Sequence, residues 1–298
     1  MFNIWGVCVL KKLKAYWDLT RLDHGLIFAV SFVLGMTIAY GRLPNAGLAI
    51  AGVIAAIAAE MGTFALNDYF DVEVDRKNNR TDRPIIRGEI TRNEALALTV
   101  VSFIVSIAAA VLMDNIGALI VVIAMIVFGC FYDYRLKEYG ILGNIYIAFT
   151  MAAPFLFSSM LFKASPILLL LSTMAFFLGL GREIMKGIMD VEGDALRDVK
   201  TVARLYGEST ARYVAIALYL IALLLAPLPY FWKFGLDTTK YYYNPLYAAL
   251  AAITIAVLGY VCVSLLRSHE RKTISKARKT TLIAMVVALL AFLIPAVI

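Results

Sequence analysis

Residues 46–75 read AGLAIAGVIAAIAAEMGTFALNDYFDVEVD, and this stretch decides the fold class. Its first part, Ala46–Leu66, is apolar apart from a few polar side chains and contains one charged residue, Glu60. Because a helix rises about 1.5 Å per residue, about 20 apolar residues cross the roughly 30 Å of hydrocarbon in a bilayer. The last nine residues hold four carboxylates. The stretch therefore predicts a transmembrane helix that emerges directly into an acidic segment.

The same pattern recurs along the whole chain, which has 298 residues, 62% of them apolar and only 16% charged. Apolar blocks of about 20 residues alternate with short charged clusters, which predicts an all-α integral membrane protein forming a single domain over residues 1–298. The nine predicted spans are Leu22–Tyr40, Ala46–Leu66, Ala95–Met113, Ile116–Tyr132, Ile141–Phe162, Pro166–Leu180, Val214–Phe231, Leu246–Leu266 and Thr280–Val297.

The basic residues are strongly biased to one side of the predicted membrane. Of the 28 lysines and arginines, 24 precede the first span or lie in the loops after the second, fourth, sixth and eighth spans. Only four lie on the other side of the predicted membrane. Basic residues near span ends stay on the cytoplasmic side, so we expect the N-terminus and the long loops in the cytoplasm of a cell-membrane protein. Residues 1–10 are interpreted as an uncleaved segment at the membrane surface.

Cysteine and histidine usage excludes several classes of site. The three cysteines, Cys8, Cys130 and Cys262, are far apart and form no CxxC pair, which favours neither a disulfide framework nor a zinc site. Two histidines in the whole chain leave little for haem or histidine-metal chemistry. Any metal should therefore be a hard cation with oxygen ligands. We expect membrane lipids as neighbours, no nucleic acid and no obligate protein partner.

The first acidic stripe follows the second span. If that span continues as a helix at about 100° per residue, four oxygen-bearing side chains share one of its faces. They are Asn67, Asp68, Asp71 and Asp75. Glu73 falls on the opposite face.

The second stripe follows the sixth span and has the same period of four. Three carboxylates, preceded by two basic residues, are predicted to advance along one helical face, although Gly193 is able to bend that helix. These residues are Arg182, Lys186, Asp190, Asp194 and Asp198.

Carboxylates clustered on one helix face repel each other unless a cation binds them. Mg²⁺ is the natural candidate, since it prefers oxygen ligands and usually takes one or two carboxylates, waters and phosphate oxygens. Two such stripes facing each other would hold a diphosphate. One acidic stripe is explained equally well as the solvent-exposed end of a helix. Two stripes of matching period on the same side of the membrane favour the metal site. Arg80, Arg83 and Arg87 follow the first stripe and suit phosphate oxygens, although positive-inside topology also explains basic residues here.

Together these motifs resemble the UbiA superfamily of membrane prenyltransferases over essentially the whole chain. The motifs are Asn67-Asp68-x-x-Asp71-x-x-x-Asp75, Arg83-Pro84-Ile85 with Gly88, Tyr134-x-x-Lys137 and Asp190-x-x-x-Asp194. The resemblance implies nine helices around a central cavity, with a lateral opening to lipid and a prenyl diphosphate bound through Mg²⁺ at the cytoplasmic end.

The resemblance also implies roles for individual residues. The metal ligands would be Asn67, Asp71, Asp75, Asp190, Asp194 and, least securely, Asp198, which stands where relatives commonly have glycine. The residues expected to bind substrate are Asp68, Arg80, Arg83, Tyr134, Arg182, Lys186 and Lys200. The residues expected to act in catalysis are Asp71, Asp75, Asp190, Asp194 and Lys137.

The second motif also indicates an acceptor. Arg182-Glu-Ile-Met-Lys186-Gly-Ile-Met-Asp190 is similar to archaeal members that transfer a geranylgeranyl group to geranylgeranylglyceryl phosphate, forming the second ether bond of archaeal lipids. Arg182 and Lys186 could receive the acceptor's phosphate or assist the leaving diphosphate. The nearest alternative is a prenyltransferase of quinone biosynthesis with an aromatic acceptor.

Two more distant alternatives fit less well. A CDP-alcohol phosphotransferase has Asp-Gly and Ala-Arg pairs that neither stripe contains. A cation-coupled transporter would place carboxylates near the middle of the membrane, where only Glu60 and Glu183 come close.

Overall fold

The computed structural model describes residues 2–77, 80–196, 198–233 and 239–298, and in this part of the chain every regular element is helical. The α-helices are α1 Phe2–Thr20, α2 Leu22–Tyr40, α3 Ala46–Lys77, α4 Arg92–Leu112, α5 Ile116–Tyr134, α6 Ile141–Leu161, α7 Pro166–Met189, α8 Val191–Leu196, α9 Val202–Tyr206, α10 Glu208–Leu225, α11 Leu228–Phe231, α12 Pro245–Arg267 and α13 Arg271–Val297. A short 3₁₀ helix, Leu136–Tyr139, lies between α5 and α6.

Nine segments of this described chain are long and apolar enough to cross a membrane: α2 to α7, α10 together with α11, α12 and α13. The protein is thus a multi-pass membrane protein, and the predicted all-α fold with nine spans is confirmed. Three helices run well beyond their predicted spans. Helix α3 continues past Leu66, α7 continues past Leu180, and α13 begins before Thr280. Hydropathy marks only the apolar part of a helix, whereas the backbone hydrogen bonds continue where the chain becomes charged.

Contacts within the chain define two compact units, one of Met1–Val30 with Asn45–Arg135 and the other of Ser31–Pro44 with Leu136–Ile298. The single domain expected over residues 1–298 stays a prediction.

In the first unit, small residues bring α3 and α4 close together. A Cβ at Gly62 would lie 2.5 Å from Cε1 of Phe103, so only glycine fits this contact. Ser106 Oγ donates to the carbonyl of Ala55 at 2.8 Å, which ties the two helices by a side-chain hydrogen bond. Small residues and hydroxyl groups are the usual means of packing helices in lipid, where no hydrophobic effect drives them together.

The N-terminal segment begins with helix α1, Phe2–Thr20, and its predicted position at the membrane surface stays a prediction. Helix α1 is fixed by two ion pairs, one with the first turn of α4 and one with the loop after α3. Lys12 Nζ lies 2.8 Å from Glu94 Oε1, and Arg87 Nη2 lies 2.9 Å from Asp18 Oδ2. The segment is therefore part of the first unit.

In the second unit, α7 is the central helix and packs on α6, α10 and α13. Ser172 Oγ donates to the carbonyl of Ala152 at 3.2 Å, joining α7 to α6. A Cβ at Gly181 would lie 2.6 Å from Cε1 of Tyr219, so the tyrosine ring of α10 lies directly on the backbone of α7. These contacts fix the part of α7 that precedes the second acidic stripe.

The start of α4 offers a test of local stability. Thr91 Oγ1 accepts from the backbone N–H of Glu94 at 3.2 Å, and Glu94 Oε2 accepts from the N–H of Thr91 at 2.7 Å, which is a complete capping box. We expect Thr91→Ala to lower the free energy of unfolding by about 1 kcal/mol, as for other caps. Unfolding in mixed detergent micelles measures the change. Thr91→Ser keeps the hydroxyl group and should restore most of the loss, and equal losses in both variants would contradict the cap.

Candidate active site

The first stripe lies on one continuous helix, as predicted, because α3 runs without a break to Lys77. Along this stretch Asp68 and Asp75 are buried and Asp71 is half-buried. Glu73 instead is exposed and lies 3.6 Å from Arg76, one turn further along the helix. The expected separation of Glu73 from the other acidic residues is therefore confirmed.

Arg83 neutralises the buried part of the first stripe. Its Nη1 lies 3.0 Å from Asp68 Oδ1 and its Nε lies 3.6 Å from Asp75 Oδ2, while its side chain is only 15% exposed. The loop after α3 turns back to allow this contact, since the N–H of Arg80 donates to the carbonyl of Asp75 at 3.0 Å. The structure thus brings together one arginine and two carboxylates that the motif predicted as one site.

Arg21 is a site residue that the sequence did not reveal. Its Nη2 donates to Asp68 Oδ1 at 3.0 Å, and its guanidinium lies 4.4 Å from the centre of the Phe64 ring. The only signal in the sequence is a basic residue immediately before the first span. Asp68 thus lies between two arginines, from the end of α1 and from the loop after α3.

Asn67 also has a partner that the sequence did not reveal. Its Nδ2 donates to Asp133 Oδ1 at 2.8 Å, and Asp133 is 1% exposed. This bond orients the amide so that its oxygen points away from Asp133. An amide oxygen oriented in this way is a suitable ligand for a hard cation.

The donor atoms of the first stripe fit Mg²⁺. Asp68 Oδ2 is buried and has no hydrogen-bond donor. Buried carboxylate oxygens normally have such a partner, and oxygen of this kind is what Mg²⁺ prefers. Within the described ranges, no three histidine, cysteine, aspartate or glutamate side chains already form a metal-binding group. Mg²⁺ in phosphate sites commonly takes only one or two carboxylates, with water and phosphate completing its shell.

Arg80 lies at the exposed edge of the same loop and forms a two-pronged pair with a neighbouring carboxylate. Its Nε and Nη2 donate to Oδ1 and Oδ2 of Asp82, both at 2.9 Å. The hydrogen bonds from Arg80 lower the pKa of Asp82 below its ordinary value. The guanidinium of Arg80 is thus held near the first stripe in the geometry that also suits phosphate.

Tyr134 and Lys137 follow α5. Tyr134 is the last residue of α5, is 67% exposed and meets the ring of Phe70 edge-on at 6.2 Å between ring centres. Tyr134 therefore lies beside the first stripe within the first unit. Lys137 belongs to the second unit and is half-buried in the short 3₁₀ helix.

The second stripe differs from its prediction, because it is not one continuous helical face. Helix α7 ends at Met189, and Asp190 has backbone angles of φ −102° and ψ 7° before α8 begins. Asp198 follows α8 with a positive φ of 54° and lies outside both helices. Aspartate favours helix ends because its short side chain competes for backbone hydrogen bonds. The expected single stripe from Arg182 to Asp198 is therefore wrong.

Two parts of the second stripe keep the predicted arrangement. Arg182 and Lys186 lie one turn apart on α7, and the N–H of Asp190 donates to the carbonyl of Lys186 at 3.0 Å. The N–H of Asp194 donates to the carbonyl of Asp190 at 2.8 Å, and Asp194 is 6% exposed. Asp190 and Asp194 thus remain one turn apart across the break.

Lys200 lies in a segment that packs against the beginning of α6. Gly140, with φ of 57°, has no room for a Cβ, which would overlap the backbone carbonyl of Lys200. Gly140 directly follows the 3₁₀ helix that contains Lys137. Two residues predicted to meet the substrate therefore lie on two segments that touch each other.

Asp198 is held by a neighbouring arginine. Arg204 Nη2 donates to Asp198 Oδ1 at 2.6 Å, and this bond lowers the pKa of the carboxyl group. The carboxylate is 79% exposed, whereas Asp194 is buried. Its predicted role as a metal ligand stays a prediction.

The contrast between these two aspartates gives a testable expectation. We expect Asp194→Asn to lower prenyl transfer by at least about a hundredfold, and Asp198→Asn by less than about tenfold. We expect this difference because Asp194 is buried, whereas Asp198 is exposed and already paired with Arg204. Transfer rates under saturating substrate check it, and equal losses in the two variants would show that Asp198 belongs to the metal site.

Comparisons with known proteins now bear on this arrangement. The sequence pattern of the UbiA prenyltransferase family matches residues 28–290. The chain belongs to this family. Membership makes it a membrane prenyltransferase, as its motifs predicted.

Individual members of the UbiA prenyltransferase family agree with this placement. Digeranylgeranylglyceryl phosphate synthase of Archaeoglobus fulgidus is 45% identical over 284 residues, which cover 95% of each chain. A solved structure from a study of digeranylgeranylglyceryl phosphate synthase in membranes has a TM-score of 0.74 and 27% identity, covering 96% of this chain and 99% of its own. A UbiA homolog from Archaeoglobus fulgidus bound to GPP and Mg²⁺ has a TM-score of 0.66 at 18% identity, covering 93% of this chain and 99% of its own, and shares the fold.

Proposed function

We propose that this protein transfers a geranylgeranyl group from geranylgeranyl diphosphate to the free hydroxyl group of geranylgeranylglyceryl phosphate. This is the reaction of a digeranylgeranylglyceryl phosphate synthase, and its product has the second ether bond of an archaeal membrane lipid. The observation that most supports the proposal is 45% identity, over nearly the whole chain, to a synthase of this name. An alignment of that length extends over both acidic segments.

The acidic segments are proposed to hold Mg²⁺ for the donor's diphosphate. In the first unit, the ligands would be Asn67, Asp71 and Asp75, with Asp68 beside them. In the second unit, they would be Asp190 and Asp194. Bound Mg²⁺ would supply positive charge that stabilises the diphosphate as its bond to carbon breaks.

The chain's own cations would complete the binding of the diphosphate. Arg83 and Arg80 are held beside the first stripe, and guanidinium groups match phosphate oxygens in geometry and charge. Lys137 and Lys200 lie on touching segments of the second unit and would contribute further positive charge. Positive groups placed where negative charge develops on the diphosphate lower the activation barrier for its departure.

The reaction itself breaks the allylic carbon–oxygen bond, and the diphosphate leaves with the electron pair. The acceptor's hydroxyl oxygen then forms a bond to carbon one of the prenyl group, and its proton passes to a carboxylate or to the released diphosphate. Binding the acceptor through its phosphate would hold the hydroxyl group close to that carbon. The apolar membrane-spanning helices would accommodate the prenyl chain and keep water from the allylic cation.

The distribution of basic residues supports a cytoplasmic position for these segments. All the predicted binding residues lie in connections that belong to the basic side of the chain, and the N-terminus lies on the same side. Reaction of single cysteines introduced into these connections with a membrane-impermeant reagent tests this orientation.

The direct test of the proposed reaction uses detergent-purified protein with Mg²⁺ and geranylgeranyl diphosphate. Geranylgeranylglyceryl phosphate and 4-hydroxybenzoate are supplied as acceptors in parallel, and products are identified by mass spectrometry. We expect digeranylgeranylglyceryl phosphate as the product, and its loss when EDTA is added. Product from the aromatic acceptor alone would overturn the proposed acceptor, and absence of product with either would overturn the proposed function.

A further inference from the structure

Two arginines meet in the second unit, on different helices. Arg182 of α7 donates from Nη1 to the backbone carbonyl of Arg278 of α13 at 3.1 Å. Both side chains are half-buried, and the Nε atom of each is buried without a hydrogen-bond acceptor. The guanidinium of Arg182 thus reaches the backbone of Arg278, the charges of the two side chains act on each other, and each guanidinium keeps an unused donor.

In the described part of the chain, no carboxylate lies within ion-pair distance of either arginine. Glu183, which adjoins Arg182, attracts it at longer range and lies 3.6 Å from Lys186. Half-buried positive charges without a partner destabilise a folded protein, and unsatisfied buried donors add to that effect. An anion bound by the two guanidinium groups would neutralise their charge and accept hydrogen bonds from the unused donors.

The surrounding helices keep the pair in position. Next to Arg182, Gly181 lies directly against the fully buried ring of Tyr219. Next to Arg278, Ala277 is 4% exposed and belongs to the same core cluster as Tyr219. The backbone on both sides is therefore fixed by packing, which favours a binding site over a flexible surface pair.

The pair also lies at the border of the membrane. Arg182 is two residues after Leu180, where one predicted apolar span ends, and Arg278 is two residues before Thr280, where another begins. A lipid with its chains among these helices would present its headgroup phosphate at this depth. A phosphate monoester has about −1.5 to −2 charges at neutral pH, which two guanidinium groups balance.

We propose that Arg182 and Arg278 together bind the phosphate of the lipid-phosphate acceptor. Arg278 is new as a site residue, because neither the motifs nor the acidic stripes include it. This inference rests on the proposed function and names the residues that distinguish a phosphate-bearing acceptor from an uncharged one. Two arginine forks converging on one phosphate provide specificity as well as binding energy.

The test measures the Kd of the acceptor and of the donor separately, in detergent with Mg²⁺. Arg278→Gln should raise the Kd for geranylgeranylglyceryl phosphate on the order of tenfold or more, and Arg278→Lys should raise it less. The Kd for geranylgeranyl diphosphate should stay within about twofold of the wild type. Lys279→Gln changes the exposed neighbour on the same helix and should change neither value.

A second comparison tests whether Arg278 acts on the phosphate of the acceptor. Geranylgeranylglycerol lacks it, so its affinity should be equal in the wild type and in Arg278→Gln. An unchanged acceptor Kd in both Arg278 variants would overturn the inference, and so would a rise in the donor Kd as large as that for the acceptor. If Arg278→Gln does not fold, Arg278→Lys and Arg182→Lys replace it under the same criteria.

Failure of this inference is distinguishable from failure of the proposed function. Wild-type protein that forms digeranylgeranylglyceryl phosphate supports the function whatever the Arg278 variants do. Wild-type protein that binds no geranylgeranylglyceryl phosphate overturns both.

Discussion

Asp71→Asn is expected to reduce prenyl transfer by at least about a hundredfold while leaving the protein folded. Asp71 lies on the face of α3 that also holds Asn67 and Asp75, and it is half-buried. Asparagine has nearly the same shape but lacks the negative charge that a magnesium ligand supplies. The transfer rate at saturating substrate and the melting temperature in detergent, measured on the same preparation, test the expectation.

The matched control for Asp71 is on the same helix. Glu73 is two residues away, faces the other side, and is paired with Arg76 at the exposed surface. Glu73→Gln also removes one negative charge from α3, yet should leave the transfer rate within about twofold of the wild type, as surface substitutions usually do. Near-normal transfer by Asp71→Asn would contradict the assignment of metal ligands to the first stripe. A loss of transfer in Glu73→Gln as large as that in Asp71→Asn would contradict it as well.

Arg83→Met is expected to have the largest effect on stability. Methionine fills a similar volume, but it removes the guanidinium at 3.6 Å from Asp75 and one of the two arginines that form ion pairs with Asp68 in the described chain. Removing one partner of a buried ion pair costs about 3 kcal/mol or more, because the remaining charge stays buried. Transfer should fall as well, since Arg83 is proposed to meet the diphosphate. Unfolding in mixed detergent micelles and transfer assays measure the two effects.

Arg76→Met serves as the control for Arg83→Met. Arg76 forms an exposed pair with Glu73 on the same helix, and exposed pairs contribute about 1 kcal/mol or less. Equal stability of the Arg83→Met and Arg76→Met proteins would mean that Arg83 does not neutralise the buried carboxylates.

The spans were predictable because hydropathy alone defines them. Helix α2 has the predicted bounds, Leu22–Tyr40, and the continuation of α3 through Asp75 followed from the spacing of its acidic residues. The period of four was also correct for Asp190 and Asp194, which remain one turn apart. These features depend on residues that are close in the sequence.

The contacts that were not predicted join distant parts of the chain. Arg21 and Asp68 are 47 residues apart, and Asn67 and Asp133 are 66 residues apart. No pattern in a single sequence reports such pairs, because they depend on how the helices pack. The end of α7 at Met189 was also not predicted. Gly193 indicated a bend, whereas the backbone leaves the helix at Asp190.

The contact between Gly140 and Lys200 has a consequence for how this side of the protein can move. Because the two backbones touch, we expect the segment with Lys137 and the segment with Lys200 to shift together. A methyl group on residue 140 would overlap the backbone carbonyl of Lys200 and force the two lysine-bearing segments apart. A substrate that binds both lysines, as proposed, would therefore be expected to displace these segments together or to leave both in place.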